Sequence, residues 1–278
     1  RAREAWRPLA DLVAERRLAF PLASVDDLAE TPLDAFRDIA PLFGATAAFL
    51  GKPRAEVIAY DPYFADGGVA TKLRSLGLAR VVNRNRDFYA DVASGAIPPH
   101  DILLTNPPYS SDHVERLVKY CVSTRTASSC AASSSGPCAE ATAAPFALLL
   151  PTYVLGKPYW RAAIAALKPA PIYVMPHKRY AYEPPRWARR DDAAAPTKTA
   201  PFPTGWFVWL PAGFRPPTFA HGRVDVFPDA ASVSSDHRDL TDPSKKRPNP
   251  RTRRKRAAKR ADKATAYANH EWRTTPPS

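Results

Sequence analysis

Apolar positions along this chain fall in short runs, and the runs alternate between two spacings. Short, mostly apolar stretches at Glu56 to Tyr60, Ala79 to Val82, Ile102 to Thr105, Pro145 to Pro151, Pro171 to Met175 and Trp206 to Leu210 predict strands, the most continuous of them buried on both faces. Between them, apolar residues recur at helical spacing over Asp34 to Phe43, Val69 to Leu76, Val114 to Val122 and Tyr159 to Leu167. Gly51 and Gly77 read as helix stops and Pro41 as a break. A strand, a glycine-bearing loop and a helix in that order open a dinucleotide-type unit, so the alternation predicts an α/β fold. A short strand at Val224 to Phe227 is the last predicted element, with little fixed structure expected after Ser232.

This pattern divides the chain. Residues 1–52 read as a helical segment covering one end of the sheet, 53–211 as the α/β domain, and 212–278 as a proline-rich and basic tail, largely disordered. Residues 123–144 are small and polar, have nothing to bury, and read as a flexible low-complexity insertion. Of a net charge of +13, ten units belong to Ser244 to Lys263, which carries eleven Lys or Arg residues against the single acid Asp262. The remainder is nearly balanced, and the basicity is a tail that suits nuclear localisation or nucleic-acid tethering. An organellar address stays open beside the nucleus, because the sequence begins at Arg1. No apolar run approaches the length of a membrane span, so no membrane partner is expected. Cys121, Cys130 and Cys138 are odd in number and lack Cys-x-x-Cys spacing, so neither a disulfide framework nor a metal site is expected.

Candidate chemistry concentrates where the Ile102 to Thr105 run stops. Asn106-Pro107-Pro108-Tyr109 follows at once, and two prolines forbid further strand or helix bonding, which leaves Asn106 at the carboxyl end of a strand. Ligands bind at that edge of open α/β sheets. A planar NH2 group is a poor nucleophile until acceptors hold its hydrogens and its nitrogen pyramidalises. The Asn106 side-chain oxygen and the Pro107 carbonyl supply two such acceptors without a charged base. Pro107 and Pro108 fix φ and aim that carbonyl in advance, and Tyr109 offers a stacking face. Upstream, Asp61-Pro62-Tyr63-Phe64-Ala65-Asp66-Gly67-Gly68 joins a strand to a helix, with small residues that let backbone approach a ligand and a helix start that offers N–H groups to a carboxylate.

In these two motifs the chain resembles the class I S-adenosylmethionine-dependent methyltransferases that modify amino or amide nitrogens, whose signatures read Asp-Pro-Phe-x-Gly-x-Gly and Asn/Asp/Ser-Pro-Pro-Tyr/Phe/Trp. The resemblance covers roughly residues 55 to 210 and implies a Rossmann-like seven-stranded methyltransferase sheet with helices on both faces and the last strand pair antiparallel. It implies S-adenosylmethionine as cofactor, bound by Asp61, Pro62, Tyr63, Ala65 and Gly67, with Ala65 standing where the pattern has its first glycine. Asn106, Pro107, Pro108 and Tyr109 are then the catalytic residues. Asn83 falls where the family carries a ribose-binding acid. Asp87-Phe88 is similar to the family's adenine-reading pair, and equally reads as a helix N-cap followed by a core aromatic.

The stretch His177 to Arg190 mixes cations with aromatics, which suits phosphate contact plus base stacking; a solvated hairpin is the other reading. Lys178, Arg179 and Tyr180 of this stretch, with Lys198 just upstream of Trp206, are the candidate substrate-binding residues, and His177 reads as a hydrogen-bonded loop residue. The expected function is methyl transfer to an exocyclic amino group of a nucleic-acid base, foremost adenine N6 in RNA or DNA, with nucleic acid as partner. Two other readings stay open. One is methylation of a protein glutamine or amine, and the other is a catalytically inactive methyltransferase-like subunit that binds nucleic acid.

Overall fold

The computed structural model describes residues 19–20, 27, 29–65, 67–130, 144–182, 198–199, 202–219, 223–230 and 232–233. They form an α/β fold around a seven-stranded sheet. In chain order the strands are β1 (Ile58–Tyr60), β2 (Arg80–Val82), β3 (Ile102–Thr105), β4 (Phe146–Pro151), β5 (Ile172–Pro176), β6 (Ala181–Tyr182), β7 (Lys198–Thr199), β8 (Thr204–Trp209) and β9 (Val224–Phe227). The helices are α1 (Leu33–Phe49), α2 (Gly68–Ser75), α3 (Phe88–Ser94), α4 (His113–Cys130) and α5 (Pro158–Ala166). The sheet order is β2-β1-β3-β4-β8-β5-β9, with β6 and β7 paired separately as a short antiparallel ribbon.

The four strands β2, β1, β3 and β4 run parallel, β8 inserts antiparallel between β4 and β5, and β9 pairs antiparallel to β5. Continuous apolar strands arise because both faces are covered, and successive residues go to opposite sides. Ile102 and Leu104 join Ala147, Leu149, Trp206 and Val208 in a core under α1 and α2, whereas Leu103 joins Phe146, Leu148, Phe207 and Trp209 under α3, α4 and α5. The Rossmann-like arrangement expected from the sequence is what the chain adopts, antiparallel last strands included.

Three boundaries differ from expectation. Residues before 53 are more than a cover. Phe36, Ile39, Leu42 and Phe43 of α1 are all but completely buried in the first core, and α1 runs through Pro41, whose missing N–H leaves the carbonyl of Arg37 on an exposed residue. The sheet also passes residue 211, since β9 completes it and Val233 is still buried in the second core. Finally, α4 continues through residues 123–130, the start of the supposed insertion. Thr124 and Thr126 donate their hydroxyls back to the Tyr120 and Val122 carbonyls, and the buried Arg125 donates to the carbonyls of Cys121 and Ala144. The rest of that insertion, residues 131–143, lies outside the described residues, as do residues 183–190 of the cation-aromatic stretch and the basic tail.

Candidate functional site

β1 and β3 are neighbours, so the two sequence motifs that follow them emerge side by side at the carboxyl edge of the sheet. A hydrogen bond joins them. Thr105, the last residue of β3 and fully buried, donates its hydroxyl to Asp61 Oδ1 at 2.6 Å, and the Tyr63 backbone N–H donates to the same oxygen at 3.1 Å. Asp61 is 4% exposed. Burial pushes its carboxyl from the ordinary value of 3.8 up to about 7, the two hydrogen bonds pull the other way, and the nearby Glu30 adds a smaller upward push.

The Asp61 loop turns into α2 through Gly67, whose φ of +78° is a left-handed conformation that glycine adopts without strain. Pro62 and Tyr63 are buried and Ala65 is half-buried. Asn83, just beyond β2, donates its side-chain amide to the carbonyls of Asp61 (3.1 Å) and Tyr63 (3.2 Å) and so pins the loop from behind. Its Oδ1 is buried and has no hydrogen-bond partner.

On the β3 side, the Tyr109 hydroxyl lies 2.6 Å from Asn106 Oδ1 and 2.9 Å from the carbonyl of Leu149. Burial holds the phenol well above its ordinary range, so it stays protonated and donates. An amide oxygen has two lone-pair directions, and the phenol takes one of Asn106's while fixing which way the amide faces. Pro107 and Pro108 are buried beside it. Tyr109 is therefore both an aromatic wall and a positioning residue for Asn106, and only the wall was anticipated from sequence.

Asp61, Tyr63, Ala65, Asn106 and Pro108 line one cleft, and residues N-terminal to α1 line it with them. Glu30 reaches the start of α2, where Gly68 N–H donates to its carboxylate at 3.1 Å and Lys72 Nζ at 2.7 Å. Asp27 accepts from the Ser110 N–H and hydroxyl just past the Asn-Pro-Pro-Tyr turn. Phe20, 4% exposed, is wedged edge-on against Tyr63 at 4.9 Å and near His113 and Tyr89. The cleft is thus partly filled by the chain's own aromatic ring and carboxylate. Sequence reasoning missed Thr105, Phe20 and Glu30; only Thr105 carries a local signal, a hydroxyl residue ending an apolar strand directly before Asn106.

Comparison with protein-family models, with curated proteins and with solved structures finds no match. The residues alone carry the functional reading.

The remaining candidates separate. Asp87 caps α3, accepting from Tyr89 N–H at 2.8 Å and Ala90 N–H at 3.3 Å, and Phe88 is buried between Tyr63 and Tyr120. Of the two readings for that pair, the cap and core aromatic describe its contacts. Tyr180 points into the core. It is 5% exposed in the core under α1, and its hydroxyl donates to the buried Asp38, which Arg223 also pairs at 2.7 Å. The contact with Asp38, 142 residues away in sequence, holds this ring inward, which composition could not register. Lys178 is exposed past the end of β5 and Arg179 half-buried beside it, three strands away from β3, roughly 14 Å along the sheet. Lys198 starts β7, opposite Tyr182. His177 pairs with Asp225 at 3.1 Å, as a loop residue would.

Nearer to Asn106 stand aromatics the sequence reading did not single out. Phe202 packs edge-on to Tyr109 (5.7 Å between ring centroids) and Tyr153 edge-on to Phe202 (5.3 Å). A second depression, behind the Asp61 loop and lined by Tyr60, Pro62, Val82, Arg84 and Arg86, contains Pro62 alone of the predicted site residues.

Proposed function

We propose that this chain is an S-adenosylmethionine-dependent N-methyltransferase acting on an exocyclic amino group of a nucleic-acid base, adenine N6 in RNA or DNA. The observation that carries the reading is the Thr105 to Asp61 hydrogen bond, which makes the glycine loop and the Asn106 turn two walls of one cleft. The residues present fit the cofactor. The start of α2 already accommodates a carboxylate, that of Glu30, and the orphaned Oδ1 of Asn83 is an acceptor awaiting a donor. Asp61, lifted to about 7 by burial, is a group whose ionised form a neighbouring cation stabilises.

The Asp61 loop, Asn83 and the first turn of α2 would hold the cofactor, and when bound S-adenosylmethionine supplies a methyl group on a cationic sulfur. Asn106 Oδ1 and the Pro107 carbonyl accept the hydrogens of the target NH2 and draw its nitrogen out of the plane. Tyr109 keeps the amide oxygen facing the target. Positioning and preorganised acceptors account for the catalysis, with no charged base. The basic tail, outside the described residues, adds phosphate contacts that are salt-dependent and indifferent to sequence, and fits a nuclear protein.

A second reading has one observation in its favour. Phe20 and Glu30 fill part of the cleft, as they would in a catalytically inactive subunit that keeps the fold and binds nucleic acid. Calorimetry of S-adenosylmethionine against the full chain and against Asn106→Ala separates the two. The methyltransferase reading expects both to bind, with only the unaltered chain transferring methyl; absence of binding to either overturns it in favour of the inactive subunit.

A further inference from the structure

The carboxyl edge of the sheet carries an aromatic series that leads away from Asn106 into solvent. Tyr109 lies beside Asn106, Phe202 follows edge-on, and Tyr153 follows Phe202 with its ring at 87°. Tyr153 is 43% exposed, a large aromatic left in water by a fold that buries most of its other rings. It sits on the turn Thr152–Gly156 directly after β4, and that turn is fixed at its start and at its middle. Thr152 N–H donates to the Pro203 carbonyl at 2.9 Å, tying it to the start of β8, and the side chain of Val154 is completely buried. Lys157, exposed at the end of the same turn, holds its ammonium 5.7 Å from the Tyr153 ring centroid.

Packing against Phe202 holds the ring but does not explain its exposure, nor the exposed cation over it, which forms no ion pair among the described residues. The pairing suits one kind of occupant: a flat heterocycle joined to a phosphate, one residue along a strand from whatever occupies the Asn106 site. Resting on the methyltransferase reading above, we propose that Tyr153 and Lys157 form the subsite for the nucleotide flanking the methylated base in an unpaired strand, Tyr153 stacking its base and Lys157 meeting its phosphate. The substrate class is thereby single-stranded or locally unpaired nucleic acid, because a base held in a duplex cannot offer its face to Tyr153. A glutamine-bearing peptide has neither the flat ring nor the phosphate.

The test uses the full chain and single-stranded oligonucleotides containing one adenine, with the flanking position on each side either intact or abasic. Loss of one stacked base is expected to slow single-turnover methylation about ten-fold on one side only. Tyr153→Ala should cost a similar factor on the intact strand and nothing further on the abasic one, and Tyr153→Trp should restore the rate. Lys157→Ala should lower the slope of log affinity against log salt by about one. A readout independent of the cofactor is 2-aminopurine at the flanking position, whose fluorescence should be quenched by the unaltered chain and much less by Tyr153→Ala. If nucleic acid is methylated in an Asn106-dependent way but neither abasic neighbours nor Tyr153→Ala alter the rate, the subsite is wrong and the methyltransferase reading stands. If no nucleic acid is methylated and no quenching occurs, both fall.

Discussion

At the residue scale the candidate site turns on the half-buried Tyr109 and the buried Asp61, each of which holds its neighbours. Tyr109 offers a ring and a hydroxyl, and the two contributions separate by substitution. Tyr109→Phe keeps the ring but frees the Asn106 amide, and a neutral hydrogen bond worth about 1 kcal/mol predicts a loss of roughly five-fold in kcat with little change in KM. Tyr109→Ala should lose more, in both parameters. Equal losses for Phe and Ala would mean that the ring contributes nothing. Asp61 makes a prediction about pH. Its carboxyl sits at about 7 in the fold against an ordinary 3.8, so the folded state binds more protons than the unfolded state between those values. Stability from this group is complete below about pH 4 and is lost as pH rises through 7, on the order of 4 kcal/mol at most. Denaturant midpoints measured at pH 5 and pH 8 should therefore fall further for the unaltered chain than for Asp61→Asn, which still accepts from Thr105 and Tyr63. Parallel pH profiles would show that Asp61 is ionised throughout.

At the element scale, Phe20, Asp27, Ala29, Glu30 and Thr31, all ahead of α1, line the cleft between the Asp61 loop and the Asn106 turn. Glu30 occupies the N–H at the start of α2 that a bound carboxylate would use, and Phe20 occupies an aromatic pocket lined by Tyr63. Cofactor binding must displace these groups, so Phe20→Ala and Glu30→Ala are each expected to tighten S-adenosylmethionine binding several-fold by calorimetry. Weaker binding in both would mean that they contact the cofactor instead of competing with it. These contacts were invisible in the sequence because they join residues 38 positions apart, Glu30 to Gly68, with no local pattern to announce them. What was legible follows from period and punctuation. Apolar runs ending in Asn106-Pro107-Pro108 and in Asp61-Pro62 gave strand ends correctly, since proline fixes where bonding stops. The tolerance of α1 for Pro41, the continuation of α4 to Cys130 and the inward turn of Tyr180 depend on tertiary partners, namely the core under α1, the Ala144 carbonyl reached by Arg125, and Asp38. Composition at 123–130 spoke for a loop, and a buried Arg with carbonyl acceptors overrode it.

For the whole molecule, the sheet order brings two motifs 45 residues apart in sequence onto adjacent strands, and every other part of the functional reading depends on that adjacency. β8, inserted antiparallel between β4 and β5, starts at the same edge, which brings Phe202 just ahead of it beside Tyr109, so the aromatic series beside Asn106 is a product of topology as much as of residue choice. Ten of the thirteen units of net charge lie in Ser244 to Lys263, so under the proposed function the tail would attract nucleic acid and the nearly balanced folded unit would discriminate. The central claim is chemical, and one measurement addresses it: transfer of an isotopically labelled methyl group from S-adenosylmethionine to RNA, genomic DNA and a protein extract in parallel, with Asn106→Ala as control. The account predicts label in nucleic acid that digests to N6-methyladenosine or its deoxy form and disappears in the variant. Label in protein, or label that persists in Asn106→Ala, would contradict it.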